Sequence, residues 1–449
     1  MKKKLNRKRI SKSKFKHRFK FDKKLNLHFS KKLLTKIIFL FLLISVYLNP
    51  KSFTNFYSSN KNNNRKILKE IISFEEKAMV NLSMATFDEF YSLNSQNKLI
   101  EENIKFEKSI NPDVTIIMTS YNFDQNIHRA LRSVQNQSLK NIEIIIIDDC
   151  SIDNSADVIR KYEKEDPRII FIEHDTNESP MKSRSEGIRK AKGKYLTIMD
   201  GDDALIHKDI LKNSFFIAQK GNIDVIEFNH AMYDNQKFYE AAQFFYELNL
   251  TNIIYQPELS NIFMHENNNF PHDYKNRAIW GKLVKKEIFQ KMLEYIGDEL
   301  SDEFITWGED TLMVVALLRI ANSYYFIKEY GYYRNIGNER RNSTKANNKV
   351  CKPNDKIKDF SYFKFLKFLV SKAGNNDKYQ KMAYMEVTTG IKYENYLNDF
   401  KMGQKHYELL FYIFDKVLEF DFLDEHQKEN IRRLRNRAIE KRNRDKINL

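Results

Sequence analysis

Val114-Thr115-Ile116-Ile117-Met118 breaks into Thr119-Ser120-Tyr121-Asn122, and this change from an apolar run to a polar cluster decides how the surrounding chain folds. A strand that is apolar almost throughout is buried on both faces, as strands of parallel sheets are. The pattern returns downstream. Ile142 to Ile147 leads into Asp148-Asp149-Cys150-Ser151, Arg168 to Ile172 forms a third run, and Tyr195 to Met199 leads into Asp200-Gly201-Asp202-Asp203. Helical spacing fills the intervals: Asn126 to Leu139, with Ile127, Leu131 and Val134 on one face, then Ala156 to Lys164 and Met181 to Ala191. Strand–helix alternation predicts an α/β fold, a Rossmann-like and mostly parallel sheet with helices on both faces. Ligands of such sheets bind at the carboxyl ends of the strands. The three polar strand ends therefore mark the expected site.

The acidic strand end is the most chemically specific of the three. Carboxylates spaced D-x-D where a buried strand surfaces can share one hard divalent cation, and such a cation takes one or two carboxylates plus substrate phosphate oxygens. The ten histidines are scattered without zinc-ligand spacing.

The formal charge of +16 suggests nucleic acid until it is located. Residues 1–36 hold sixteen Lys/Arg and one acid, Asp22, which leaves about +1 for the remaining 413 residues. The body has no basic face that must follow a phosphate backbone, so no nucleic-acid partner is expected. An apolar stretch follows the tail, sixteen residues from Leu33 to Leu48 interrupted by Thr35 and Lys36 and closed by Asn49-Pro50. It is short against the roughly twenty residues that span a bilayer core. It suits a thin membrane with Lys31, Lys32 and Lys36 at its edge. The positive flank predicts a cytosolic N-terminus. A long basic n-region and the lack of a small-x-small site before Pro50 count against a cleaved signal.

The expected organisation is a basic cytosolic tail (1–32), a single transmembrane signal anchor (33–49), a stem (50–110), the α/β domain (111–345) and a helical, charged C-terminal extension (346–449). Cys150 and Cys351 are the only cysteines and allow one bridge at most. Five N-x-S/T sites, at Asn81, Asn136, Asn177, Asn249 and Asn342, are compatible with a lumenal body.

Taken together, Val114 to Asn122, Ser133-Val134-Gln135-Asn136-Gln137-Ser138, Glu143 to Ser151, Arg184-Ser185-Glu186-Gly187-Ile188 and Gly193 to Asp203 resemble the family-2 glycosyltransferases, which use the GT-A fold. The resemblance covers about residues 113–210 in order and spacing. It implies that Thr119, Tyr121 and Asp149 form the nucleotide base pocket, with Arg184 near the diphosphate. It also implies Asp202 as the direct metal ligand, Asp200 as a ribose or water-mediated partner, and Asp203 beside them. The ion would be Mn²⁺ or Mg²⁺. A tyrosine ring offers a stacking face, a carboxylate accepts an imide N–H, and a guanidinium fork suits phosphate oxygens. Asp148 is read as the cap of its own turn. The family's Asn-x-Gly ahead of the arginine helix is replaced by Asn177-Glu178-Ser179-Pro180.

Trp307-Gly308-Glu309-Asp310-Thr311-Leu312 resembles the family's Glu-Asp motif at a helix start. Asp310 is then the catalytic base, with Glu309 as its orienting neighbour or the alternative base; both also suit a helix N-terminus on charge alone. Ala278-Ile279-Trp280-Gly281-Lys282-Leu283 resembles the segment ahead of that base, so that Trp280 and Lys282 are read as a wall of the acceptor site, with packing in the core as the alternative. Tyr332 to Arg341 lacks the late histidine of many GT-A enzymes, and Arg334, Arg340 or Arg341 would touch the phosphates instead. No Gln-x-x-Arg-Trp motif of processive members is present. These readings predict a type II, single-pass enzyme of the ER or Golgi membrane with a lumenal catalytic domain. It would move one sugar from a nucleotide-sugar donor, UDP-linked by expectation, to a glycan, glycoprotein or glycolipid acceptor with inversion. The rival is an inactive GT-A relative that binds glycan or serves as a scaffold.

Overall fold

A computed structural model of the chain describes residues 106–233, 238–240, 253–261, 278–305, 308–336, 361–374, 377–393, 402 and 404–447. The expected tail, anchor and nearly all of the stem, together with Asn249, Trp307, Arg340 and Arg341, lie outside the described residues.

The alternation read from the sequence is present, with most boundaries within a few residues. Strands β1 (Val114–Ser120), β2 (Ile142–Asp148), β3 (Ile169–Glu173) and β4 (Tyr195–Asp200) alternate with helices α1 (Ile127–Gln135), α2 (Ser155–Glu165) and α3 (Pro180–Lys190). The strands pair in parallel in the order β3-β2-β1-β4. Their register sets Thr119 opposite Asp200 and Ser120 opposite Asp148, so the polar strand ends meet along one edge.

Past β4 the sheet becomes mixed. A short β5 (Ala204–Leu205) and helix α4 (Ile210–Gly221) precede β6 (Val225–Tyr233), which pairs with β7 (Phe238–Glu240). Next come β8 (Ile254–Tyr255) and β9 (Lys282–Lys285), the latter antiparallel between β4 and β6. Helices α5 (Lys286–Ile296), α6 (Asp298–Ser301) and α7 (Glu309–Ile320) lead to β10 (Ser323–Asn335), parallel to β6.

Successive strand residues face opposite sides, and two cores result. Ile116, Met118, Ile144 and Ile146 pack beneath the apolar face of α1, with Ile127, Leu131 and Val134. Ile117, Ile145, Leu196 and Ile198 pack on the other face with Ile188 of α3 and Leu312 to Leu318 of α7. Gly187 allows α3 to lie close, since a Cβ there would stand 2.4 Å from Ile117 Cγ2. The C-terminal region is helical as expected: α8 (Ser361–Ala373), α9 (Asp377–Tyr393), α10 (Gln404–Leu418) and α11 (Glu425–Ile447). These helices extend the second core, where Phe365 and Leu369 of α8 and Leu410 and Phe414 of α10 join α7. Among the described residues no helix is long and apolar enough to cross a membrane.

Candidate active site

The turn after β2 is locked by its own side chains. Asp148, fully buried, accepts from the Ser151 backbone N–H at 2.8 Å and from Ser151 Oγ at 2.5 Å. Ser151 Oγ in turn accepts from the N–H of Asn122, whose Oδ1 accepts from Ile152 N–H. Asp148 is thus the turn cap anticipated from the sequence. Cys150, in the left-handed region at φ 66°, is disulfide-bonded, and the chain's other cysteine, Cys351, lies outside the described residues. Tyr121 beside this turn is 43% exposed.

Asp149 is held from several sides. It accepts from the Glu178 N–H at 2.7 Å, from the Ser179 N–H at 2.9 Å and from His174 Nδ1 at 2.9 Å. His174 Nε2 meets Glu186 Oε2 at 2.9 Å. Carboxylates face both ring nitrogens, an arrangement that favours the charged ring. Burial works against that charge, but the hydrogen bonds and charges of Asp149 and Glu186 prevail and raise the His174 pKa.

The acidic turn after β4 is organised by groups from distant parts of the chain. Tyr332 Oη donates to Asp203 Oδ2 at 2.7 Å and accepts from the Asp200 N–H at 3.2 Å, while the Asn335 N–H donates to Asp203 Oδ1 at 2.8 Å. Burial, with Asp202 and Asp200 alongside, pushes the Asp203 carboxyl well above the usual carboxylate range. Arg129 reaches in from α1 to donate to the Asp202 carbonyl at 2.9 Å and to Asn126 Oδ1, its guanidinium 4.9 Å from the Tyr333 ring centre. Asp200, Asp202 and Asp203 can each offer an oxygen within 4.8 Å of the others, a donor set that fits one hard divalent ion. Of the three, Asp203 is held by Tyr332 and Asn335.

A second carboxylate pair faces this turn across one arginine. Gly308, at φ 78°, caps α7, whose first turn carries Glu309 and Asp310. Arg184, 3% exposed, donates from Nη1 to Asp310 Oδ1 at 2.8 Å and to Glu309 Oε1 at 3.4 Å, and from Nη2 to Asp200 Oδ1 at 2.9 Å. Thr119 Oγ1 donates to the same Asp200 oxygen at 3.3 Å. Burial raises the Asp310 pKa to about 7, helped by Glu309 and Asp200 and opposed by Arg184 and Lys282. A carboxylate titrating there is suited to accept a proton near neutral pH.

Residues 115–293 match the family described as Glycosyl transferase family 2. That stretch, about two fifths of the chain, is similar to family 2 glycosyltransferases. Glycosyltransferase GlyA of Streptococcus pneumoniae is 27% identical over 199 residues, which cover 44% of this chain and 28% of that protein. An uncharacterized glycosyltransferase of Haemophilus influenzae is 36% identical over 108 residues, 24% of this chain and 43% of its own length. Among solved structures, S. aureus TarS 1-349 in complex with UDP-GlcNAc superposes with a TM-score of 0.49 at 12% identity, over 73% of this chain and 89% of that one. The chain therefore spans well under two thirds of the length of these two curated relatives. The family match ends before Glu309 and Asp310, and what joins them to the acidic turn is their contact with Arg184.

Thr119, Arg184, Asp200, Glu309 and Asp310 form one connected cluster, with Asp202 and Asp203 in the adjoining turn. Asp149 lies at the next strand end, with Tyr121 following β1. Trp280 and Lys282, expected on the acceptor side, are both buried. Trp280 stacks on Tyr332 at 4.7 Å and 7°, with the Arg334 guanidinium 5.6 Å from its ring, and Lys282, 1% exposed, pairs with Glu227 at 3.2 Å and donates to the Ala278 carbonyl. Sequence reasoning missed Arg129, His174, Ser179, Tyr332 and Asn335. His174 had a usable signal, since it directly follows β3 as the other polar clusters follow their strands. Tyr332 and Asn335 had none, because their role depends on where β10 is placed.

Proposed function

We propose that this chain is a metal-dependent, inverting glycosyltransferase that moves a single sugar from a nucleotide-sugar donor, UDP-linked as the simplest case, to a hydroxyl of a glycan, protein or lipid. The observation that carries the reading is the Arg184 bridge, which joins Asp200 of the acidic turn to Asp310 on α7. Asp310 takes the proton of the acceptor hydroxyl as that oxygen bonds to the anomeric carbon, while the bond from that carbon to the nucleotide's terminal phosphate oxygen breaks. A single displacement of this kind inverts the centre and needs one base within hydrogen-bond reach of the hydroxyl. Asp202 and Asp200 would hold a Mn²⁺ or Mg²⁺ ion, which when bound supplies positive charge to the departing diphosphate. Tyr121 offers its exposed ring to the base, and Arg184 holds Asp310 and Asp200 in register for the reaction.

The same proposal includes a membrane anchor at residues 33–49, with the catalytic domain on the far side of an ER or Golgi membrane; protease protection of intact vesicles tests it. For the chemistry, nucleotide release by the detergent-solubilised chain is measured across a panel of nucleotide sugars with and without Mn²⁺. Metal-dependent release from one donor, lost in Asp202→Asn, is expected. No release and no nucleotide binding from any donor would overturn the reading.

A further inference from the structure

Two contacts outside the carboxylate cluster converge on the chain that enters α7. The first comes from Ser179. This residue stands at φ 84° and ψ 155°, a region essentially restricted to glycine. The strain has a visible counterpart: Ser179 Oγ accepts from the Ile305 N–H at 3.2 Å and donates to the Glu303 carbonyl at 3.4 Å, while the Ser179 N–H donates to Asp149. One residue thus ties the turn after β2 to the approach of the base. The second contact comes from the C-terminal helices. A Cβ on Gly308 would stand 2.9 Å from Phe365 Cδ1, so the Phe365 ring of α8 lies against the backbone of the α7 cap. Next to it, Lys364 Nζ meets Glu303 Oε2 at 2.7 Å.

We infer that Ser179 and Phe365 are positioning residues for Asp310, gripping the entry to α7 from two sides at Ile305 and Gly308. The inference rests on reading Asp310 as the base. Ile305 and Phe365 are both buried in the core shared by α7 and α8. Asp310 follows the Gly308 cap by two residues in a rigid helix, so a shift of the cap becomes a shift of the carboxylate against Arg184. Helix α8 is on this view part of the active site's framework, although it touches no reacting group.

The test uses the full chain and measures kcat, donor KM and Tm for Ser179→Gly, Phe365→Ala, Phe365→Leu and a control, Leu410→Ala, from the same core in α10. Ser179→Gly relieves the backbone conformation while releasing Ile305. Its Tm is expected to hold or rise while kcat falls about ten- to a hundredfold, the scale of a misplacement of about 1 Å. Donor KM should stay within about twofold, because the donor side is not displaced. Phe365→Ala should lower kcat in the same way, with Phe365→Leu recovering most of it. Leu410→Ala should lower Tm and leave kcat intact. Full kcat in Ser179→Gly, or an equal loss of kcat in Leu410→Ala and Phe365→Ala at matched Tm, would overturn the inference. If the wild-type chain releases nucleotide from no donor, the base assignment fails on its own. Hydrogen exchange of the peptide carrying Leu312 and Met313 then decides the grip: faster exchange in Ser179→Gly and Phe365→Ala supports it, and unchanged rates refute it.

Discussion

The acidic turn after β4 and the carboxylate pair at the start of α7 are both clusters of negative charge, yet they are held by opposite means. Asp203 of the turn is fastened by neutral groups, the Tyr332 hydroxyl and the Asn335 N–H, and the turn's main chain is met at the Asp202 carbonyl by the Arg129 guanidinium. The pair on α7 is held by charge, through Arg184, which also reaches Asp200. A site fastened through the backbone keeps its shape when charges change. A site held by one buried cation does not, because removing one partner of a buried pair strands the others.

The largest effect expected is on chemistry. Asp310→Asn should lower kcat by a factor on the order of 10² to 10⁴, with nucleotide affinity by calorimetry unchanged. Loss of affinity in step with kcat would mean that the two clusters are one binding unit. Next comes Arg184→Met, which leaves Asp310, Glu309 and Asp200 without their shared counter-charge. Roughly 3 kcal/mol of stability should be lost in denaturant unfolding; a loss under about 1 kcal/mol would erase the contrast between the two clusters.

The pH profile sharpens it further. Asp310 must be ionised to act, so kcat should fall below an apparent pKa near 7, about tenfold per pH unit. Arg184 favours the ionised form, so the midpoint should move to higher pH in any Arg184→Met protein that remains folded. A midpoint in the ordinary carboxylate range would remove Asp310 from the role. A smaller change is expected on the fastened side: Tyr332→Phe deletes one donor to buried Asp203 and should cost about 1–3 kcal/mol, with the Asn335 and Arg129 contacts keeping the turn in place. The smallest belongs to Ser151→Ala, at about 1 kcal/mol with unchanged kcat, since Ser151 serves to close the turn, with Asp148 and the Asn122 N–H as its partners.

How legible each part was follows from the range of its contacts. The strands and helices of the first half could be read because each is specified by its own periodicity. The strand ends could be read as a site because parallel register brings Thr119, Asp148 and Asp200 to one edge. Ser179 was harder. The replacement of a glycine was visible, but the conformation it adopts depends on Ile305 and Glu303, which lie more than a hundred residues away. The burial of Lys282 and Trp280 could not be read from their motif, because it follows from the placement of β9 between β4 and β6 and from the stacking of Trp280 on Tyr332.

From the sequence alone came the α/β alternation, the carboxylates at the strand ends, the cap role of Asp148 and the helical nature of the C-terminal region. All of these depend on local spacing and on the chemistry of single residues. The tertiary structure alone decided which oxygens Arg184 joins, which groups fasten Asp203, and that α8 lies against the cap of α7. The bond from Arg184 to Asp310 spans 126 residues of chain. Contacts at that range are set by packing of whole elements, which no local pattern encodes.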